Sequence, residues 1–270
     1  MYDTHKYNCK NRIPISALIT RIRSFKQENR MEKIRLNKYI AQAGVCSRRD
    51  ADSLIDKGLV SVNGQTANMG MRVDDSDRII VNGKEIKGRN EKIVLAYYKP
   101  VGITCTEKDR FAAKKIMDEV KYPIRLTYAG RLDKESEGLM ILTNDGDLIH
   151  AMMRGANRHE KEYIVKVKEE ITPEFIEGLQ AGVYLPELHK TTRPCKAEKI
   201  GKYTFRITLT QGLNRQIRYM CKAFEYHVFS LKRVRIMNIG LETLHPGEWR
   251  VLTEAELTAL YTALDFHDHP

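Results

Sequence analysis

No run of eighteen apolar residues occurs in this chain, so no segment reads as a membrane span. The first thirty residues also lack the apolar core and small-residue cleavage site of a secretory signal, and the expectation is a soluble protein with a cytoplasmic home. Cysteine is scarce: Cys9, Cys46, Cys105, Cys195 and Cys221 are odd in number and widely scattered. With no CxxC pair and no HExxH, they read as free thiols rather than as a disulfide framework or a zinc site, and no metal is expected. Neither GxxxxGK[ST] nor GxGxxG is present, which removes the common phosphate-cradling loops, and no nucleotide or other cofactor is expected.

What the chain does have is positive charge. Its 270 residues carry 46 Lys and Arg against 35 Asp and Glu, a formal charge of +11. Because each phosphate neutralised by a protein releases condensed counterions, that excess favours a polyanionic partner. A composition 42% hydrophobic and 30% charged supports one large domain or two unequal ones. Residues 1–31 read as a basic leader outside the fold: the first thirty hold seven Lys or Arg against Asp3 and Glu28, with one short apolar patch, IPISALI. Met31, just before regular patterning begins, is the expected native start, with a transit peptide as the other reading.

From Ile34 the spacing Leu36, Ile40, Ala43 suits one face of a helix stopped by Gly44. A second helix opens at Ser47, with Asp50 three residues on, and ends at Gly58. LVSVNG and IIVNG follow, each an alternating strand closed by Asn-Gly, a dipeptide that tolerates tight hairpins. This arrangement over residues 32–90 resembles the S4 RNA-binding domain. The resemblance implies that Arg35, Lys38, Arg48 and Arg49 meet RNA phosphates. The polar GRN at 88–90 suits a linker. Beyond it, residues 92–265 mix strands such as IVLAYYKP, RLTYA, LMILT, KEYIVKV and TFRITL with helical ITPEFIEGL and NRQIRYMCKAF, without the regular repeat of a doubly wound sheet. The fold expected is α+β, a small S4-like domain followed by a mixed, largely antiparallel sheet with flanking helices.

One stretch is out of character with a basic chain. YAGRLDKESEGLMILTNDGDL places Asp133, Glu135, Glu137, Asp145 and Asp147 within residues 128–148. An EF-hand reading fails because the twelfth loop position is Asn144 and a strand, not a helix, follows Gly138. A glycosidase pair built on Asp133 and Glu135 or Glu137 ignores the basic surroundings. The third reading makes GRLD the chemical centre, with Gly130 turning the backbone and the other four acids solvated in loops and turns.

GRLDKESEGLMILTNDGDL is similar to the signature of the RsuA and RluB/E/F group of bacterial rRNA pseudouridine synthases. YYKPVGITCT (Tyr97 to Thr106), KEYIV (Lys161 to Val165) and QGLNRQIRYMC (Gln211 to Cys221) fall in the matching order. The last motif and RIMN (Arg235 to Asn238) look most like members acting on large-subunit rRNA. The resemblance implies cofactor-free isomerisation of a uridine in rRNA, 23S first and tRNA as a second class, by a chain with monomer as its default state. It also implies Asp133 as catalytic residue, Arg218 as its cationic partner, Tyr163 against the uracil, and Arg131 in the space vacated by a flipped base. Lys99 and Pro100 are expected to shape the site floor, with Lys99 among the RNA-binding residues, and Arg206, Arg215, Lys232, Arg233 and Arg235 to track phosphates. One departure is Tyr219, where such sequences tend to carry a second Arg. The competing class is a non-catalytic RNA-binding or ribosome-assembly factor, which would bind RNA without making pseudouridine.

Overall fold

The computed structural model describes residues 33–86, 88–106, 114–154 and 158–264, so the expected leader and everything after Leu264 lie outside the described residues. The chain divides into two compact units between Lys92 and Ile93.

In the first unit, β1 (Ile34–Arg35) leads directly into α1 (Leu36–Gln42), and α2 (Arg48–Asp56) follows. Then come β2 (Val60–Val62), β3 (Gln65–Thr66), β4 (Arg72–Val73), β5 (Ile79–Val81) and β6 (Lys84–Glu85). Ser47 caps α2, its Oγ accepting the Asp50 amide at 3.2 Å. Asn63-Gly64 and Asn82-Gly83 all take positive φ, the backbone of two-residue hairpins whose twist matches the flanking strands. The small sheet runs β3-β2-β5-β6, while β1 pairs with β4. Leu36, Tyr39 and Ile40 of α1, Ala51 and Ile55 of α2, and Val60, Val62, Ile79 and Val81 close the core.

The second unit is built on one nine-stranded sheet. Its elements are β7 (Val94–Lys99), α3 (Ile116–Glu119), β8 (Thr127–Tyr128), β9 (Glu137–Thr143), α4 (Gly146–Met153) and β10 (Lys161–Val167). They continue with α5 (Pro173–Ala181), β11 (Tyr184–Leu185), β12 (Lys190–Thr191), β13 (Lys196–Gly201), β14 (Thr204–Leu209) and α6 (Gln216–Lys222). The last are β15 (Val228–Ile236), β16 (Ile239–Gly240), β17 (Trp249–Val251) and α7 (Glu254–Ala263). Strand order is β13-β14-β10-β15-β9-β7-β17, with β16 on β15, β8 on β9, and β11-β12 a separate ribbon. Every pairing is antiparallel except β9 with β15, so the sheet is mixed and largely antiparallel.

Both faces of the central strands are covered. Leu95 and Tyr97 of β7 and Met140 and Leu142 of β9 join one core with α3, α5 and α6. Their neighbours Val94, Ala96, Tyr98, Leu139 and Ile141 join a second core with α4 and α7. Strands buried on both faces read as continuous apolar runs, which is how VLAYY and LMILT read.

One edge of β9 is shared, and the sharing makes the site. β7 pairs with β9 from Gly138 to Thr143, but on the other edge β15 holds only Glu137 and Gly138 while β8 holds only Leu142 and Thr143. RLTYA therefore forms a two-residue strand, not the longer one its alternation suggests. Gly138 is the pivot. At φ +113°, a Cβ there would lie 2.2 Å from the Arg233 carbonyl oxygen and 2.6 Å from its amide nitrogen. Such approaches leave no room for any side chain, so only glycine lets β15 dock on β9.

Candidate active site

The loop between β8 and β9 opens at Gly130, whose φ of +85° turns the chain. Leu132 then points inward, 8% exposed and part of the first core, which leaves Arg131 and Asp133 on the outside. The Asp133 carbonyl accepts the Ser136 amide at 3.0 Å, and the Lys134 carbonyl accepts the Gly102 amide at 2.8 Å. Beneath it Lys99 is sealed at 0% exposure, its Nζ donating to the Ser136 carbonyl at 2.6 Å and the Pro100 carbonyl at 3.0 Å. A buried ammonium held by two carbonyls fixes the loop's far end. Burial pushes its pKa down to about 8, offset in part by Cys105 and Asp133.

This overturns the expectation of Lys99 as an RNA contact. It sits at the end of a strand buried on both faces, where no phosphate reaches, and it supports the loop from below. Arg233 is corrected for the same reason: 2% exposed, it donates through Nε to the Leu139 carbonyl at 2.7 Å, in the gap between β15 and β8. Arg206 and Arg235 are engaged by acids, Arg206 with Glu162 and Glu198, Arg235 with Glu160 and Glu162. Lys232 lies over the Tyr98 ring at 5.6 Å from its centroid. Nor are the neighbouring acids all solvated, as the sequence suggested. Asp145 is 1% exposed and caps α4 by accepting the Asp147 and Leu148 amides, and Glu137 accepts the Tyr98 hydroxyl at 2.7 Å.

Arg218 arrives from α6. Ile217, Met220 and Cys221 form that helix's buried face, and Arg218, about 100° round from Ile217, is turned toward the loop. Its Nη2 donates to the Ser136 hydroxyl at 3.3 Å and the Glu135 carbonyl at 3.4 Å. Its Nε stands 4.0 Å from Asp133 Oδ2 and 4.0 Å from Glu135 Oε2. That Nε is buried and has no hydrogen bond, while the Asp133 side chain keeps 35% of its surface open. Arg215, in a left-handed conformation just before α6, pairs with Glu135 at 3.0 Å. That contact holds the Glu135 carboxyl below its ordinary range. Arg131 is exposed and takes part in no hydrogen bond or ion pair among the described residues. Tyr219 is half-buried against the core, so the departure from the expected Arg fills a packing position.

Tyr163 is reached through the sheet register. It pairs with Arg233 of β15, Arg233 pairs with Gly138 of β9, and Gly138 pairs with Lys99 of β7. Tyr163, Arg233, Gly138 and Lys99 thus form one row across four strands, with Asp133 five residues upstream of its glycine. At 8% exposure the Tyr163 ring is nearly sealed. The residues that sequence reasoning missed are Ser136 and Glu135 as partners of Arg218, and Arg233 as a buried member of the row. Their spacing in the chain carries no signal of it, since the contacts span 82, 83 and 94 residues.

In the first unit Arg35, Arg48 and Arg49 are exposed and Lys38 is half-buried. Arg48 and Arg49 occupy the first turn of α2, where the helix dipole favours acids, so their placement carries a small local cost.

Comparison with known proteins accords with this geometry. Residues 93–223 match the family model described as RNA pseudouridylate synthase, and residues 34–79 match the S4 domain. The chain is 47% identical to the dual-specificity RNA pseudouridine synthase RluF of Escherichia coli K12, over 86% of this chain and 80% of that protein. It is 37% identical to the ribosomal large subunit pseudouridine synthase B of Bacillus subtilis 168, over 86% of this chain and 97% of that one. A crystal structure of a pseudouridylate synthase, 28% identical, superposes with a TM-score of 0.62 over 84% of this chain and 99% of its own. With an S4 domain, a matching catalytic sheet and relatives at this identity, the chain belongs to the RsuA and RluB/E/F-type RNA pseudouridine synthases.

Proposed function

We propose that this enzyme converts a uridine of large-subunit (23S) rRNA into pseudouridine, with Asp133 as the catalytic carboxylate. The relatives' names support the substrate, one being a large-subunit synthase and another dual-specific, which makes tRNA the second class to test. The observation that carries the assignment of the residue is the Asp133 carboxylate, 35% exposed and 4.0 Å from a buried Arg218 Nε that makes no hydrogen bond of its own. A guanidinium so placed fixes the direction of the carboxylate.

The reaction needs that charge. The bond from base N1 to ribose C1′ breaks, the base turns, and C5 bonds to C1′, with one proton lost from C5 and one gained at N1. An ionised Asp133 serves as nucleophile or as base on the substrate, and no redox partner is required. The target nucleotide must first leave its stack, at a cost of a few kcal/mol. Arg131, exposed two residues before Asp133, is free to enter the vacated space, and Tyr163 offers a ring to the turning base. Arg35, Lys38, Arg48, Arg49 and Arg215 hold phosphates, Arg215 by exchanging Glu135 for one.

Mapping of modified uridines in rRNA from cells with and without the gene tests activity and names the substrate together. Asp133→Asn, which keeps the shape and removes the charge, is expected to lower the isomerisation rate by about 10³-fold or more with RNA affinity nearly intact. Near-normal turnover in that variant would end the assignment.

A further inference from the structure

The row under the loop is rich in buried cations and poor in buried acids. Lys99 is held by two carbonyls, and Arg233 by one carbonyl and the Met140 sulfur at 2.9 Å. Asp145, the one buried acid among the described residues, is committed to the α4 N-terminus. A third cation is less satisfied. Lys161 begins β10 between Leu209 of β14, which belongs to the same core as Tyr163, and Ile236 of β15, which belongs to the second core and is paired across a register irregularity between Glu162 and Tyr163. Along β14, where the register is unbroken, the two-residue period of a strand puts Lys161 on the same side as Tyr163, about 7 Å away along the chain. The Lys161 side chain makes no hydrogen bond or ion pair among the described residues. Its electrostatic neighbour is another cation, Arg233, and burial with that neighbour pushes its pKa down to about 8.

A half-buried ammonium with no acceptor is costly to keep, and such groups are retained where an anion comes and goes. The reaction itself generates a negative charge beside the ring that Tyr163 offers. When the N1–C1′ bond breaks, its electron pair passes to the uracil ring and spreads onto the ring carbonyl oxygens. This holds whether Asp133 attacks the sugar, attacks the base or removes a sugar proton.

We infer that Lys161 is a further catalytic residue, whose ammonium donates a hydrogen bond to a carbonyl oxygen of the departing uracil anion while Tyr163 holds the ring. The inference rests on the Asp133 reading above. Lys161 remains protonated throughout, so it needs no co-reactant. Its contribution arises where charge develops, in the manner of an oxyanion hole.

The test uses the full chain, large-subunit rRNA from a strain lacking the gene, and single-turnover kinetics. Lys161→Met keeps length and loses the charge, and is expected to slow isomerisation about 100-fold or more while RNA affinity changes less than about threefold. Lys161→Arg is expected to retain at least about a tenth of the rate. Because an unpaired desolvated cation is removed, the Met variant is expected to melt at the same temperature or higher. A lysine with only a structural role gives the opposite pattern, a lower melting temperature with activity lost in step, and that would overturn the inference. So would a Met variant within about threefold of the parent rate. If Asp133→Asn is dead while Lys161→Met is active, this inference alone falls. If Asp133→Asn is active, both fall.

Discussion

At the scale of single residues, the site separates two jobs that a basic side chain can do. Arg218 spends one amino group on the Ser136 hydroxyl and the Glu135 carbonyl, and turns its Nε toward Asp133. Lysine has one nitrogen and cannot do both. Arg218→Lys is therefore expected to lower the single-turnover rate by about 10 to 100-fold with RNA affinity within about threefold. If the change instead weakens RNA binding and leaves the rate alone, Arg218 is a phosphate contact and not a partner of Asp133. Asp133 and Arg218 were legible in the chain because their motifs resemble those of a family. Glu135 was legible only as a surplus acid, since its partners Arg215 and Arg218 lie 80 and 83 residues away.

At the scale of elements, the junction of β9 with β15 depends on one missing side chain. Gly138 combines positive φ with backbone atoms inside contact distance of any Cβ. Gly138→Ala is expected to destabilise the second unit by about 3 kcal/mol or more, read as a lowered denaturant midpoint. A midpoint close to that of the parent would mean that the β9–β15 pairing is not needed for the fold. The glycine was visible in the sequence as part of the GRLDKESEG stretch, but its reason was not. The clash involves Arg233, and only the long-range register brings that residue alongside. Helix and hairpin signals fared better, because Ser47, Gly44, Gly58 and the two Asn-Gly pairs act on their immediate neighbours.

At the scale of the whole molecule, a formal charge of +11 says that a polyanion is welcome but not where. Sealed and salt-bridged cations contribute little to counterion release, whereas the exposed Arg48 and Arg49 at the start of α2 are free of that restriction. Replacing both with alanine is expected to weaken rRNA binding across sequences and to reduce the slope of log affinity against log salt by about 2. The isomerisation rate at saturating RNA should be unchanged. Binding measured over a series of KCl concentrations checks this, and an unaltered slope would remove the helix from the interface.

The amino-acid sequence by itself determined most of the elements, the order of the two units and the family that the GRLD stretch resembles, because caps, turns, apolar periods and short motifs act over a few residues. Only the tertiary structure decided which cations meet solvent and which are sealed. Lys99, Lys161 and Arg233 look alike in a string of letters. Their different fates follow from a sheet covered on both faces and a register that aligns four strands distant in the chain, and burial of that kind belongs to the assembled sheet, not to any segment of it.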